Sequence, residues 1–302
     1  MYDIIIVGAG AAGLTAGIYA RRASKKVLIL EANTYGGQIV NTLDIENYPA
    51  EAHISGFDFA TKLYNQTKDL GAEINFEKVI DIKNEKDHKE VITTKNTYLC
   101  KSIILASGSE NRRLGLSNEK DLIGKGVSYC ATCDGAFYKG KDVAVVGGGN
   151  TALEEALYLS DLAKKVYLIH RRDEFRGEDS TVKKLTEKEN VEFVYNSTVT
   201  KLNAKNSLES IEVTDKEKNT RNINIQGIFI AVGRIPENEN FSKIIKTDKL
   251  GYIIAGEDCH TNVEGIFAAG DNRTKNLRQL VTATSDGANA VAEAIKYINN
   301  KK

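Results

Sequence analysis

The chain has 302 residues, enough for two domains of ordinary size with separate cores. Hydrophobic residues make up 41% and charged residues 27%, the balance of a soluble globular protein rather than a disordered or membrane-embedded one. Lysine plus arginine equals aspartate plus glutamate at 41 each, so no global field draws nucleic acid or an anionic membrane, and any acidic ligand has to be recognised by a local basic cluster.

The first predicted element is a strand, Ile4 to Val7, at the very start of the sequence. No basic segment followed by a long apolar stretch precedes it, so no signal peptide is expected. No apolar run reaches about 18 residues, so no transmembrane helix is expected either. The strand runs into Gly8-Ala9-Gly10-Ala11-Ala12-Gly13, then a helical stretch from Leu14 to Ala23, then a second strand, Val27 to Leu30, that ends at Glu31. In such a turn the first glycine allows the tight bend, the second lets backbone approach a pyrophosphate, and the third lets helix and strand pack closely. The helix start then presents unpaired N–H groups to the phosphates. The bland alternative is a turn that merely needs small residues; a strand before it and a helix after it favour the nucleotide reading. Glu31 stands where an acid accepts hydrogen bonds from a ribose with free hydroxyls, as FAD or NAD provides.

Further along, Gly36-Gly37-Gln38 would let the chain pass over an extended cofactor, and Asn47-Tyr48-Pro49 is a candidate wall beside it. The charged segment from Lys78 to Leu99 suits an antiparallel meander. The apolar strand from Ser102 to Ala106 ends in Ser107-Gly108 and a polar stretch, Glu110 to Arg113.

Cys130-Ala131-Thr132-Cys133-Asp134-Gly135 comes next. Two cysteines three apart can close a small ring if the first turn is helical. A zinc site normally needs four ligands. Cys100 and Cys259 are isolated, and His53, His88, His170 and His260 include no pair with ligand spacing, so no metal is expected. A redox dithiol is favoured, since a helix start can lower a thiol pKa. Asp134 is a candidate proton donor to a leaving thiolate; the alternative is a plain turn residue before Gly135.

The opening design then returns. Val143 to Val146 is a strand, Gly147-Gly148-Gly149-Asn150-Thr151-Ala152 the turn, Leu153 to Ala163 the helix, and Val166 to Ile169 the second strand, ending at His170. Gly8 to Glu31 is 23 positions, and Gly147 to His170 is also 23. One supersecondary unit is used twice, which predicts two doubly wound, Rossmann-like three-layer α/β domains. Ala152 is small enough to serve as the third glycine does, and Asn150 and Thr151 are expected to cap the helix and add phosphate donors. At the end of the second strand no acid reads a ribose. His170, Arg171, Arg172 and Arg176 instead suit a 2′-phosphate, which needs charge and forked donors, so NADPH rather than NADH is expected; the alternative is a solvated basic patch.

The segment from Val191 to Ile225 reads as a second meander, and the strand Gly227 to Gly233 ends in Arg234-Ile235-Pro236-Glu237. This stretch and the one near Arg113 read as two crossings of a linker pair, with the second domain inserted in the first. The expected bounds are 1–112 with 240–302 for the first domain and 113–239 for the second. Gly270-Asp271 follows a strand near the end, where an aspartate can meet a ribityl chain, although Gly-Asp is also an ordinary turn. Arg278-Gln279 opens the region of the last helix, whose periodicity is clearest from Ala288 to Ile298.

Taken together, Gly126 to Gly135, Gly147 to Ala152, His170 to Arg176, and Ala269-Gly270-Asp271 with Arg278-Gln279 resemble the low-molecular-weight thioredoxin reductases of the pyridine nucleotide–disulfide oxidoreductase superfamily, over essentially the whole chain. The resemblance implies FAD in the first domain, NADPH in the inserted one, and a Cys130–Cys133 disulfide that passes electrons to thioredoxin. It also implies an inserted domain that rotates between half-reactions, and a cytoplasmic homodimer. Three positions depart from the pattern. Asn272 stands where a hydrophobic residue is usual, Ser107 where threonine is common, and Ala50 where glycine is usual.

Two other readings compete. A reductase of the same fold could serve another acceptor, such as a peroxiredoxin or a ferredoxin-driven system; the missing thioredoxin-like N-terminal domain weakens the first and the arginine cluster the second. A non-enzymatic nucleotide sensor would have no need of paired thiols.

Overall fold

The computed structural model describes residues 1–42 and 44–301. They form two compact units, Met1–Glu110 with Ile235–Lys302, and Asn111–Arg234.

In the first unit, Tyr2–Val7 lies parallel between Val27–Glu31 and Thr97–Leu105, and Glu73–Phe76 extends the sheet beyond Val27–Glu31. Both faces of this sheet are covered, which is why its central strands are continuously apolar. Ile4 and Ile6 face one core with Leu14, Ile29, Phe267 and Ile298, while Ile5 and Val7 face another with Leu28, Leu105 and Phe241. Each such side chain contributes about 1.5–3 kcal/mol on burial. The strand Thr97–Leu105 changes partners along its length. Its first residues pair antiparallel with Lys89–Thr93, which pairs antiparallel with Val79–Asn84, and its last pair parallel with Ile266–Ala268. The expected meander is present here. The last helix, Leu280–Asn300, is longer than its periodicity indicates, because Gln279 and Thr282 form a reciprocal capping box at its start.

The second unit repeats the plan. Asp142–Val146 lies parallel between Lys165–Ile169 and Gly227–Ile230, with Val127–Ser128 beyond the latter. The two copies share their register: Val7 is opposite Leu30, and Val146 is opposite Ile169. The expected second meander is only partly correct. Ser197–Ala204, Leu208–Asp215 and Thr220–Asn224 form an antiparallel sheet, but Val191–Val194 joins the main sheet, parallel to Lys165–Ile169. The helix Asp179–Thr186 carries the chain back to make this a crossover rather than a hairpin. Where the chain passes from one unit to the other, Ser109–Asn111 and Arg234–Pro236 pair as a two-stranded ribbon.

Candidate functional site

The first glycine turn lies at the carboxyl ends of the parallel strands, where doubly wound sheets bind ligands. Gly8 has a φ of +107°, and a Cβ there would overlap the Ala106 carbonyl oxygen. A Cβ on Gly13 would overlap the Gly8 carbonyl, so the helix Ala11–Arg22 can sit against the strand only with glycine here. Gly10 caps that helix without a side-chain acceptor and has open space where a side chain would stand. The first N–H groups, from Ala11, Ala12 and Gly13, are left for a ligand. Glu31 accepts from the Ala9 amide at 2.7 Å and from the Asn33 amide at 2.9 Å, which fixes its carboxylate beside the turn.

Two segments distant in sequence meet this turn, and further predicted residues pair with one another within the same unit. The Gly36 amide donates to the Ala9 carbonyl at 2.8 Å, which draws Gly36, Gly37 and Gln38 alongside it. Gly270, at the end of the strand before Asp271, lies against the Ala12 side chain. Asn47 Nδ2 donates to Gln279 Oε1 at 3.3 Å. Gly108 has a φ of +73° and open space beside it. Arg278 lies over the Tyr252 ring at 4.1 Å and donates to the Arg273 carbonyl. The open glycine, the uncapped helix start and the anchored acid fit the pyrophosphate and ribose of a dinucleotide.

One charged cluster that sequence reasoning missed supports this edge. Asp286 Oδ2 accepts from the Gly270 amide at 2.8 Å, from Arg273 Nε at 2.8 Å and from Lys275 Nζ at 2.9 Å. All three charged side chains are almost fully buried. Burial would raise the Asp286 pKa, but Arg273 and Lys275 outweigh it and hold the carboxyl below its usual range.

The second turn differs in detail. Gly149, not Asn150 or Thr151, caps the helix Asn150–Ser160, and no side chain caps it. Asn150 is already in the first turn, and its Oδ1 accepts from the Glu178 amide at 2.8 Å, fixing the loop after Arg176. Gly149 has open space where a side chain would stand, and Ala152 is fully buried against the strand. His170 is buried, its ring beside Gly148 and stacked on Phe175 at 5.3 Å. Burial and the neighbouring Arg176, Arg172 and Arg171 push its pKa down, so it is a neutral wall. The three arginines are exposed, without an ion-pair partner among the described residues, and the Arg176 amide is tied to the Gly148 carbonyl at 2.7 Å. Three guanidinium groups beside an uncapped helix start fit a phosphate-rich ligand.

Cys130 and Cys133 form a disulfide, with Cα atoms 5.3 Å apart. Cys130 caps a single helical turn, Ala131–Asp134, so the helical geometry expected for the small ring is present. Behind it, the Ser128 hydroxyl accepts from the Cys130 amide at 3.1 Å and donates to Asp134 Oδ2 at 2.6 Å. Burial raises the Asp134 pKa, and the Ser128 hydrogen bond lowers it by less. A second carboxyl, Glu155, was not singled out in the sequence. Its Oε1 accepts from the Ala131 amide at 3.3 Å. The available signal was an acid in the helical stripe of Ala152, Ala156 and Leu159, all fully buried. Cys100 and Cys259 are buried thiols, each pushed up to about 12 by burial, and are inert fillers at neutral pH. Asp44, Glu46 and His53 bring three possible ligand atoms within 4.8 Å of one another, but Glu46 and His53 are exposed and acids cluster this way without a metal.

A family model described as pyridine nucleotide-disulphide oxidoreductase matches residues 2–287. The thioredoxin reductase of Listeria monocytogenes is 42% identical over 304 residues, covering 100% of this chain and 95% of that protein. The chain belongs to the thioredoxin reductases of this family. The thioredoxin reductase of Bacillus subtilis is 40% identical over 300 residues, with 99% of this chain and 95% of that protein covered. Among solved structures, thioredoxin reductase from Streptococcus pyogenes superposes with a TM-score of 0.94 at 39% identity, over 99% of each chain. The close pair Cys130–Cys133 fits the redox-active disulfide of such an oxidoreductase.

Proposed function

We propose that the protein is an NADPH-dependent thioredoxin-disulfide reductase that holds FAD in the first unit and NADPH in the second. The observation that carries this reading is the Cys130–Cys133 disulfide set on a helical turn, with the raised carboxyl of Asp134 behind it. The bound nucleotides would supply hydride transfer and the two electrons that open the disulfide.

The chain's own residues do the rest. Gly8, Gly10, Ala11, Ala12 and Gly13 would receive the FAD pyrophosphate, and Glu31 its ribose. Gly36, Gly37, Gln38, Asn47, Gly108, Gly270, Asp271, Arg278 and Gln279 would hold the remainder of it. Gly147, Gly149, Asn150, Thr151 and Ala152 would receive the NADPH pyrophosphate, and Arg171, Arg172 and Arg176 its 2′-phosphate, against the neutral wall of His170. Once the pair is reduced, one thiolate attacks a sulfur of the thioredoxin disulfide. A mixed disulfide forms and the other thioredoxin sulfur leaves as a thiolate. The second cysteine then attacks the mixed disulfide, restoring Cys130–Cys133 and releasing dithiol thioredoxin. Asp134 is placed to give a proton to a leaving thiolate, and its burial shifts the carboxyl pKa upward, toward the protonated form.

Cytoplasmic residence and a homodimer are part of the same reading and rest on the resemblance. Among the described residues no helix is long and apolar enough to cross a membrane.

The purified protein should be yellow, should bleach with NADPH, and should then reduce a thioredoxin disulfide. A colourless protein ends the flavin assignment. Bleaching without thioredoxin reduction transfers the activity to another acceptor. Full disulfide-reductase activity in both Cys130→Ser and Cys133→Ser would refute the assignment of the pair.

A further inference from the structure

We propose that Glu155 is a positioning residue of the cysteine pair: it holds the Ala131 amide between the two cysteines and, through its own charge, sets how readily the reduced pair yields a thiolate. This deepens the reading of Cys130–Cys133 as the redox pair and rests on it.

The geometry is local to one helix and one turn. Glu155 lies in the helix Asn150–Ser160, and its Oε1 accepts from the Ala131 amide at 3.3 Å. That amide belongs to the first residue of the turn Ala131–Asp134, one of the N–H groups such a turn leaves without an internal partner. Oε2 is sealed from solvent and has no hydrogen-bond partner among the described residues. A carboxylate with one long hydrogen bond and one unpartnered oxygen is poorly compensated for leaving water. Burial accordingly pushes Glu155 up to about 7. The groups that face it are few. Asp134, from the cysteine turn, and Glu154, from its own helix, oppose its ionisation, while Arg234 and the Ala131 amide favour it.

The consequence for sulfur is electrostatic. An ionised Glu155 tightens its grip on the Ala131 amide but places negative charge behind the turn that must accept a thiolate. A protonated Glu155 removes that opposition. Thiolate formation at the pair and proton uptake at Glu155 therefore favour each other. The thiol releases one proton to solvent and the carboxylate takes one from solvent, with no bond to sulfur formed and no electrons moved. Asp134 is distinct in its supports: the Ser128 hydroxyl partners it, whereas among the described residues no hydroxyl partners Glu155.

Alkylation of the reduced pair tests this without flavin turnover, NADPH or thioredoxin. The full-length protein is reduced with a phosphine and exposed to iodoacetamide from about pH 5.5 to about pH 9, and modification of Cys130 and Cys133 is read by peptide mass spectrometry. The wild type is expected to show an inflection near pH 7 in addition to that of the thiol itself. The amide of Glu155→Gln keeps an acceptor for the Ala131 N–H but cannot titrate. It should lose the added inflection and react about threefold faster than wild type between that inflection and the thiol's own, the size of a half-unit change in thiol pKa. Asp134→Asn should retain the inflection. A Glu155→Gln profile that superimposes on wild type, or an inflection lost in Asp134→Asn and kept in Glu155→Gln, overturns the proposal. A wild-type profile with no inflection near neutrality overturns it as well, whether or not the variants fold. Because the readout is thiol chemistry alone, a failure to reduce thioredoxin would refute the proposed function and leave this result standing.

Discussion

The Ser128 hydroxyl donates to Asp134 Oδ2 at 2.6 Å while accepting from the Cys130 amide at 3.1 Å, so one side chain ties the acid to the cysteine backbone. That bond lowers the Asp134 pKa against the larger upward push of burial. Ser128→Ala removes the lowering influence, so Asp134 should stay protonated to higher pH. The alkaline limb of the pH–rate profile for thioredoxin reduction should move upward, as single-turnover oxidation of the reduced protein would record. Asp134→Asn should slow the same step by about 10²-fold, the scale of a lost general acid.

The arginine cluster makes a prediction about cofactor choice. Replacing Arg171 and Arg172 together by Gln removes the two forked donors proposed for the 2′-phosphate. The specificity constant for NADPH should fall by about 10²-fold or more, while that for NADH changes by less than about threefold. Equal losses with both cofactors would place the arginines elsewhere. Steady-state kinetics with each nucleotide is sufficient.

Asp286 carries a stability prediction with a defined sign. Asp286→Ala leaves Lys275 buried without its carboxylate and Arg273 with only the exposed Glu257, at an expected cost of about 3–5 kcal/mol in urea melts. It also frees the Gly270 amide, so the variant should retain less flavin through purification. In the wild type the folded-state pKa of Asp286 lies below its ordinary value of 3.8. Its contribution is therefore fully present above the unfolded pKa and is lost as pH falls through the folded one. Asp286→Ala should consequently show a shallower loss of stability on acidification than wild type.

Ala50 gives a smaller effect in the opposite direction. It has a φ of 71°, the left-handed region that disfavours a Cβ. Ala50→Gly should relieve that strain and give back part of the gain as unfolded-chain entropy, a net stabilisation of up to about 1 kcal/mol. A thermal melt that is unchanged or lower would show that the turn imposes no strain.

The repeated unit was legible in the sequence because its determinants are local. Glycines, a small-residue helix start and the residue ending the next strand all lie within one βαβ passage. The two copies superimpose in spacing and in strand register, from Val7 opposite Leu30 to Val146 opposite Ile169. What escaped depends on contacts across long stretches of chain. Val191–Val194 alternates like a hairpin strand, yet it joins the parallel sheet because a helix returns it there. Asn150 has the chemistry of a helix cap, but Gly149 takes that place and Asn150 fixes the Glu178 amide instead. Glu155 and Asp286 read as charges on helix faces. One is enclosed by a turn 24 residues earlier, and the other meets Arg273 from a loop 13 residues before it. Periodicity registers a helix face but not what covers it.

The ribbon of Ser109–Asn111 and Arg234–Pro236 has a consequence for how the polypeptide can be cut and rejoined. Paired strands run about 5 Å apart, so the two severed ends on either side of this junction would be close neighbours. A splice of a few residues could close Met1–Glu110 onto Ile235 and onward as one continuous chain. Another could join the ends of Asn111–Arg234 into a circular permutant. Each unit has its own sheet and core, so the junction is where excision or permutation of either unit would cut the fewest internal contacts.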